Sequence, residues 1–230
     1  MSPLSIENSG DTLTLLKTSV ARVTDARGVA QPIVLRNGFG QAELNVACDT
    51  FAGYKTAQQA LDSDLLWAIH DRDVRRGNCV DRMVEFTGLA RAFHTRLPIA
   101  AVSTVLRASY GKRSKLSLLV QVGGTIVQEW QKIAAITDAD VPHPFLLSGG
   151  YTLERFIEDL AALQASGDAV IAARSAARSN RILRRQFIEN VIRPRLVEYR
   201  ALIKGLYPRN HEFVLSLPRA NPLPGSTPAG

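Results

Sequence analysis

Apolar residues recur in steps of three and four over most of this chain, the period of a helix with one buried face. From Gln41 to about Leu97 the sequence is alanine-rich. Ala47, Phe51, Tyr54, Leu61, Leu65 and Ala68 fall in line, with polar Gln58 the single exception. This predicts a long amphipathic helix. Gly77 and Asn78 mark either a break or a tolerated glycine inside one continuous helix, because an interior glycine costs only about 1 kcal/mol.

The stretch 115–136, KLSLLVQVGGTIVQEWQKIAAI, supports two readings. Gly123-Gly124 between LLVQV and TIVQEW is a two-residue hairpin signal. Leu116, Leu119, Val120, Gly123, Ile126, Val127, Trp130 and Ile133 form an unbroken helical stripe. The helix is favoured, because Leu118-Leu119 breaks strand alternation; the glycines would then admit a close neighbour.

Thr152 opens a further helical region with a weak capping pattern, TLER. Ser166-Gly167-Asp168 is expected to separate a short helix, 152–165, from a long arginine-rich one closed by Pro208. Pro194 lacks an N–H and crowds the preceding turn, which predicts a kink near Asn190.

The remainder is irregular. Residues 1–40 mix Thr, Val and Leu with GD, RG, NG and FG pairs, and read as an arm carrying one short helix or strand. A short helix is expected between Pro98 and Tyr110, and a loop over 137–151. The tail 209–230 is proline-rich and extended. The expected fold is mainly α: a four- to five-helix bundle over 41–208, an N-terminal arm over 1–40, and an extended C-terminal tail over 209–230. Laying 57–96 over 159–198 matches Ala60, Leu61, Ile69, Arg72 and a few others. That is a hint of two related helical units.

Length and composition fit this picture. The 230 residues suffice for one sizeable domain or two small ones, and 46% hydrophobic with 21% charged residues is ordinary for a folded chain. No run of 18 apolar residues occurs, so no membrane span is expected. The opening MSPLSIENSGD lacks the basic and apolar regions of a secretory leader, which predicts a cytoplasmic location. Cys48 and Cys79 form no CxxC or metal-ligand pattern, and read as two packed thiols.

The motifs argue against catalysis. GKRS at 111–114 lacks the flanking residues of a phosphate-binding loop. His70, His94, His143 and His211 are widely separated. In HDRD at 70–73, Asp71 and Asp73 point to different sides of a helix, so His70 lacks a shared metal-binding face. Cys79 with His94 could pair as nucleophile and base only if the fold brought them together. No metal and no cofactor is called for, and an enzyme is the weakest of the function classes considered.

Charge adds one constellation. The formal net charge is +7, and 174–204 is strongly basic. Arg174, Arg178, Arg181 and Arg185 form one helical stripe about 16 Å long, opposite a core-facing row of Ala173, Ala176, Asn180, Leu183 and Phe187. Asp64, Asp71 and Glu85, together with Asn78, keep a seven-residue step along the first long helix and are candidate salt-bridge partners for the arginines, within one chain or between chains. Beyond the switch near Pro194, Ile188, Ile192, Leu196, Tyr199 and Ile203 form an apolar stripe that could serve another subunit. The resulting expectation is a non-enzymatic structural protein that self-assembles into a ring, shell or filament through bundle faces and terminal arms. The alternative is a module that binds nucleic acid or another polyanion through the Arg174–Arg185 stripe.

Overall fold

The computed structural model describes residues 6–28, 31–94, 110–136 and 144–218. The fold is a mainly α helical bundle, as the periodicity predicts. Helix α1 spans Ile6–Arg27, α2 Gln41–His94, α3 Leu116–Ala134 and α4 Leu153–Phe187. A π-helical turn at Ile188–Ile192 leads into α5, Arg193–Leu206, and a short α6 covers Glu212–Leu215.

Two compact units divide the chain. Unit 1 takes 1–61 and 176–230, and unit 2 takes 62–175. The boundaries fall inside α2 and α4, so each long helix contributes a part to each unit. This division differs from the expected arm, bundle and tail, and the reason is burial at both termini. The arm carries α1, 22 residues long, whose Leu13, Leu16, Val20 and Val23 lie in the unit 1 core. The tail begins with α6, and Phe213 and Leu217 close the same core. Arg22 ties the two ends together, pairing with Glu212 at 2.6 Å and lying over the Phe213 ring. Residues 219–230, the helix expected after Pro98 and the loop around His143 lie outside the described residues.

α2 is continuous for 54 residues through Gly77. α4 is continuous too: Ser166-Gly167-Asp168 does not interrupt it. Gly167 is there for packing, because a Cβ on it would stand 2.2 Å from Leu116 Cδ2. Gly123 plays the same part on α3, where a Cβ would come 2.6 Å from Leu160 Cδ1. Of the pair that suggested a hairpin, Gly123 instead lets α3 and α4 approach closely, whereas Gly124 has nothing near it.

The core of unit 2 is aromatic. Trp130 stacks on Phe86 at 5.3 Å, meets Phe145 edge-on, and donates from Nε1 to the Phe145 carbonyl at 3.1 Å. Unit 1 has an aliphatic core around Leu16, Leu44, Ile192 and Leu196, with Tyr199 inside it bonding Ser19 Oγ at 2.8 Å. Near its edge Asn180 Nδ2 donates to the Tyr54 carbonyl and to Gln58 Oε1, so the polar exception in the α2 stripe has a buried partner.

The two units are built on one plan: helix, tight loop, long helix. Leu16, Val20 and Val23 of α1 correspond to Ile126, Trp130 and Ile133 of α3, and all six are buried. Leu35, Leu44 and Phe51 correspond to Leu147, Phe156 and Leu163, an offset of 112 residues. Further along, Cys79, Met83, Phe86 and Ala90 correspond to Ile192, Leu196, Tyr199 and Ile203, and the offset is 113. The extra residue is absorbed by the π turn, where Arg193 N–H reaches back five residues to the Ile188 carbonyl. The kink expected from Pro194 therefore takes the form of a π turn just before it. Two related helical units do exist, but not in the register that overlays 57–96 on 159–198.

Candidate functional site

Each unit contains the same clamp, made by a helical Arg-x-x-Glu pair and a tight loop. In unit 2 the loop is Leu147–Tyr151, closed by Leu147 N–H to the Tyr151 carbonyl at 3.0 Å. Gly149 and Gly150 both take left-handed conformations, φ 70° at each. Glu85 on α2 accepts from the Ser148 N–H, and Arg82 donates to Glu85 at 2.8 Å and to Ser148 Oγ at 3.2 Å. The Arg82 guanidinium also lies 4.4 Å above the Tyr151 ring, a cation–π contact. In unit 1 the loop is Leu35–Phe39, closed by Leu35 N–H to the Phe39 carbonyl, with Asn37 and Gly38 left-handed. Glu198 accepts from the Arg36 N–H. Arg195 donates to Glu198 and to the Arg36 carbonyl, each at 3.1 Å, and covers the Phe39 ring at 4.8 Å.

The chemistry of the loop explains its sequence. Two consecutive residues with positive φ call for Asn-Gly or Gly-Gly. Pro32-Ile-Val-Leu-Arg-Asn-Gly-Phe39 and Pro144-Phe-Leu-Leu-Ser-Gly-Gly-Tyr151 are therefore one motif. This shared octapeptide, with Arg-x-x-Glu at 82–85 and 195–198, is the signal by which the sequence could have revealed the clamps.

Behind the unit 2 clamp lies a polar cluster. Tyr151 donates its hydroxyl to Asp159 Oδ2, and Cys79 lies close enough to feel that carboxylate. Burial, then the nearby Asp159, pushes the Cys79 thiol up to about 11. Burial and the Asp159 hydrogen bond likewise raise Tyr151 well above the ordinary phenol range. A thiol so placed stays protonated at neutral pH and is a poor nucleophile. Burial raises Glu85, but hydrogen bonds from Ser148 and Arg82 outweigh it and hold the carboxyl below its usual value. These groups fasten a loop to a helix.

The residues singled out in the sequence are dispersed. Arg174, Arg178, Arg181 and Arg185 are all solvent-exposed on α4, as expected of the stripe. Its inner face is set about one residue off the expected row: Ala177 and Asn180 are buried, whereas Ala176 and Leu183 are exposed. Arg181 already has a partner within the chain. Asp71 pairs with Arg75 one turn along its own helix at 2.8 Å, Glu85 is taken by its clamp, and Asp64 is exposed. Ile188, Ile192, Leu196, Tyr199 and Ile203 are no outward face: each is at most 2% exposed, and together they form the wall of the unit 1 core. The stripe that could have served another subunit is occupied by α1.

Of the histidines, His70 is exposed beside Trp67, with ring centroids 6.2 Å apart. His211 caps α6, its Nδ1 accepting from the Phe213 N–H at 3.2 Å. The side chain of His94 lies outside the described residues. Among the described residues no group of three or more His, Cys, Asp or Glu is arranged to hold a metal ion. No described helix is long and apolar enough to cross a membrane. An open groove of about 400 Å³ in unit 1 is lined by Val34, Leu35, Leu202 and Leu206, with Glu198, already engaged in the clamp, at its polar edge.

Sequence reasoning also passed over several exposed apolar groups on the long helices. Leu66 and Trp67 on α2 are 69% and 70% exposed, Ile171 on α4 is 66% exposed, and Val74 and Ile182 are about half exposed. No family model, curated protein or solved structure matches the chain.

Proposed function

We propose that this protein is a non-enzymatic structural subunit that assembles with copies of itself through the outward faces of its long helices. One observation carries the reading: Trp67, a bulky indole, stands 70% exposed on the outer side of α2, with Leu66 beside it and Val74 two turns on. None of these side chains belongs to the core of either unit. Scattered single apolar residues are normal on a surface, but a Trp this exposed is the type of side chain that anchors interfaces. Sedimentation velocity at micromolar concentration should give a species heavier than the 25.1 kDa chain. Trp67→Glu with Leu66→Glu should return it to monomer with its helicity intact. A wild-type monomer throughout the micromolar range would refute the reading.

A second reading is supported by the exposure of Arg174, Arg178 and Arg185, which form no ion pair among the described residues. An exposed basic row of this kind can neutralise phosphates, and the affinity would then fall steeply with salt. Titrating a labelled oligonucleotide at two salt concentrations tests it. Unchanged binding by Arg178→Glu with Arg185→Glu would remove the row from consideration.

A further inference from the structure

The outer stripe of α2 in unit 2 and the outer stripe of α4 in unit 1 are complementary in both charge and spacing. On α2, Asp64, Trp67, Asp71 and Val74 follow one another at three, four and three residues, all exposed. That step pattern keeps a narrow seam on one side of a helix. On α4, Arg178, Ile182 and Arg185 follow at four and three residues, and all are exposed. Asp64 and Asp71 are seven residues apart, as are Arg178 and Arg185, about 10 Å in each case at helical rise.

The antiparallel orientation gives both carboxylates a guanidinium and the indole an apolar partner. Run antiparallel, the seams bring Asp64 to Arg185, Asp71 to Arg178, and Trp67 to Ile182 between the two ion pairs. Run parallel, Trp67 would fall opposite Arg181, a charged residue that already has a partner within the chain. We infer that α2 of one copy packs antiparallel on α4 of a second copy, with Trp67 against Ile182 flanked by Asp64–Arg185 and Asp71–Arg178 pairs. The acidic and basic stripes are then partners between chains. The Asp71–Arg75 pair does not stand in the way: it is exposed, lies on one helix, and such pairs are worth only a few tenths of a kcal/mol.

This inference rests on self-assembly and names the surfaces that carry it. Its test is a charge exchange in the full chain, with helicity checked by circular dichroism and association followed by sedimentation. Asp71→Arg alone and Arg178→Asp alone should each weaken association about tenfold or more, since each places like charges together. The double variant Asp71→Arg/Arg178→Asp should recover to within about threefold of wild type, because the pair is reversed rather than removed. The mismatched double variant Asp64→Arg/Arg178→Asp should stay weak. If the mismatched variant recovers and the matched one does not, the antiparallel register is wrong. If Trp67→Glu disrupts association while neither exchange restores it, self-assembly stands and this pairing falls. If the wild-type chain is monomeric, the self-assembly reading itself fails, and the pairing with it.

Discussion

The two units solve one packing problem with different placements of polarity. Behind the clamp, unit 1 has Phe39, Ala47 and Ile192 where unit 2 has Tyr151, Asp159 and Cys79. In the core the polar groups differ again. Unit 1 has the Ser19–Tyr199 hydrogen bond at the positions where unit 2 has Glu129, 4% exposed and paired with Lys132, and Phe86, stacked on Trp130. The backbone plan therefore does not dictate where a polar group is buried. What both units retain is the clamp. A carboxylate and a guanidinium one turn apart can satisfy a loop N–H, a loop carbonyl and an aromatic face together.

Breaking the aromatic core should have the largest effect. Trp130→Ala removes the ring on which Phe86, Phe145 and Phe156 pack, and should destabilise unit 2 by about 3–5 kcal/mol. Cys79, 1% exposed in the native state, provides the readout: its labelling by a thiol reagent should accelerate by at least about a hundredfold in the variant. Amide exchange in α1 should change much less. Equal acceleration in α1 and around Cys79 would show that the units unfold as one.

The polar cluster comes next. Tyr151→Phe leaves Asp159 without its donor and should cost about 1–2 kcal/mol. Adding Asp159→Ala installs the Phe and Ala that unit 1 carries at 39 and 47, and should recover most of that loss in a denaturant titration. A double variant less stable than the single would mean the cluster does more than satisfy itself.

The smallest effect concerns the clamp carboxylate. The Glu85 pKa is lowered in the fold from its ordinary 4.5, so its contribution is complete above that value. It is lost as pH falls through the lower folded value. Glu85→Gln should cost about 1 kcal/mol at neutral pH, given that the side chain is a quarter exposed. The variant should also show a shallower loss of stability below pH 4.5 than the parent chain. An unchanged acid profile would assign that loss to other carboxylates.

Much of the fold was legible because burial imposes a period. The α2 stripe, the helix over 115–136 and the disturbance before Pro194 follow from spacing and from the missing proline N–H. Ser166-Gly167-Asp168 was misleading because glycine signals either a break or a close approach, and only the position of Leu116 decides between them. The stripe from Ile188 to Ile203 was correctly seen as apolar. Which element covers it was invisible, since α1 lies more than 160 residues away along the chain. The arginine row was visible as a row, but the clamp was not, because its loop and its Arg-x-x-Glu pair are separated by 63 residues in unit 2 and 162 in unit 1.

By itself, then, the sequence determined that the chain is mainly helical, that the backbone is disturbed before Pro194, and that basic residues gather on one side of one helix. These are local properties, set by side-chain periodicity, capping and proline sterics. The tertiary structure alone decided that each long helix serves two cores, that the terminal segments complete the first of them, and that Trp67 remains outside. Those outcomes depend on which distant segments compete for the same apolar surface, and no local pattern records the winner.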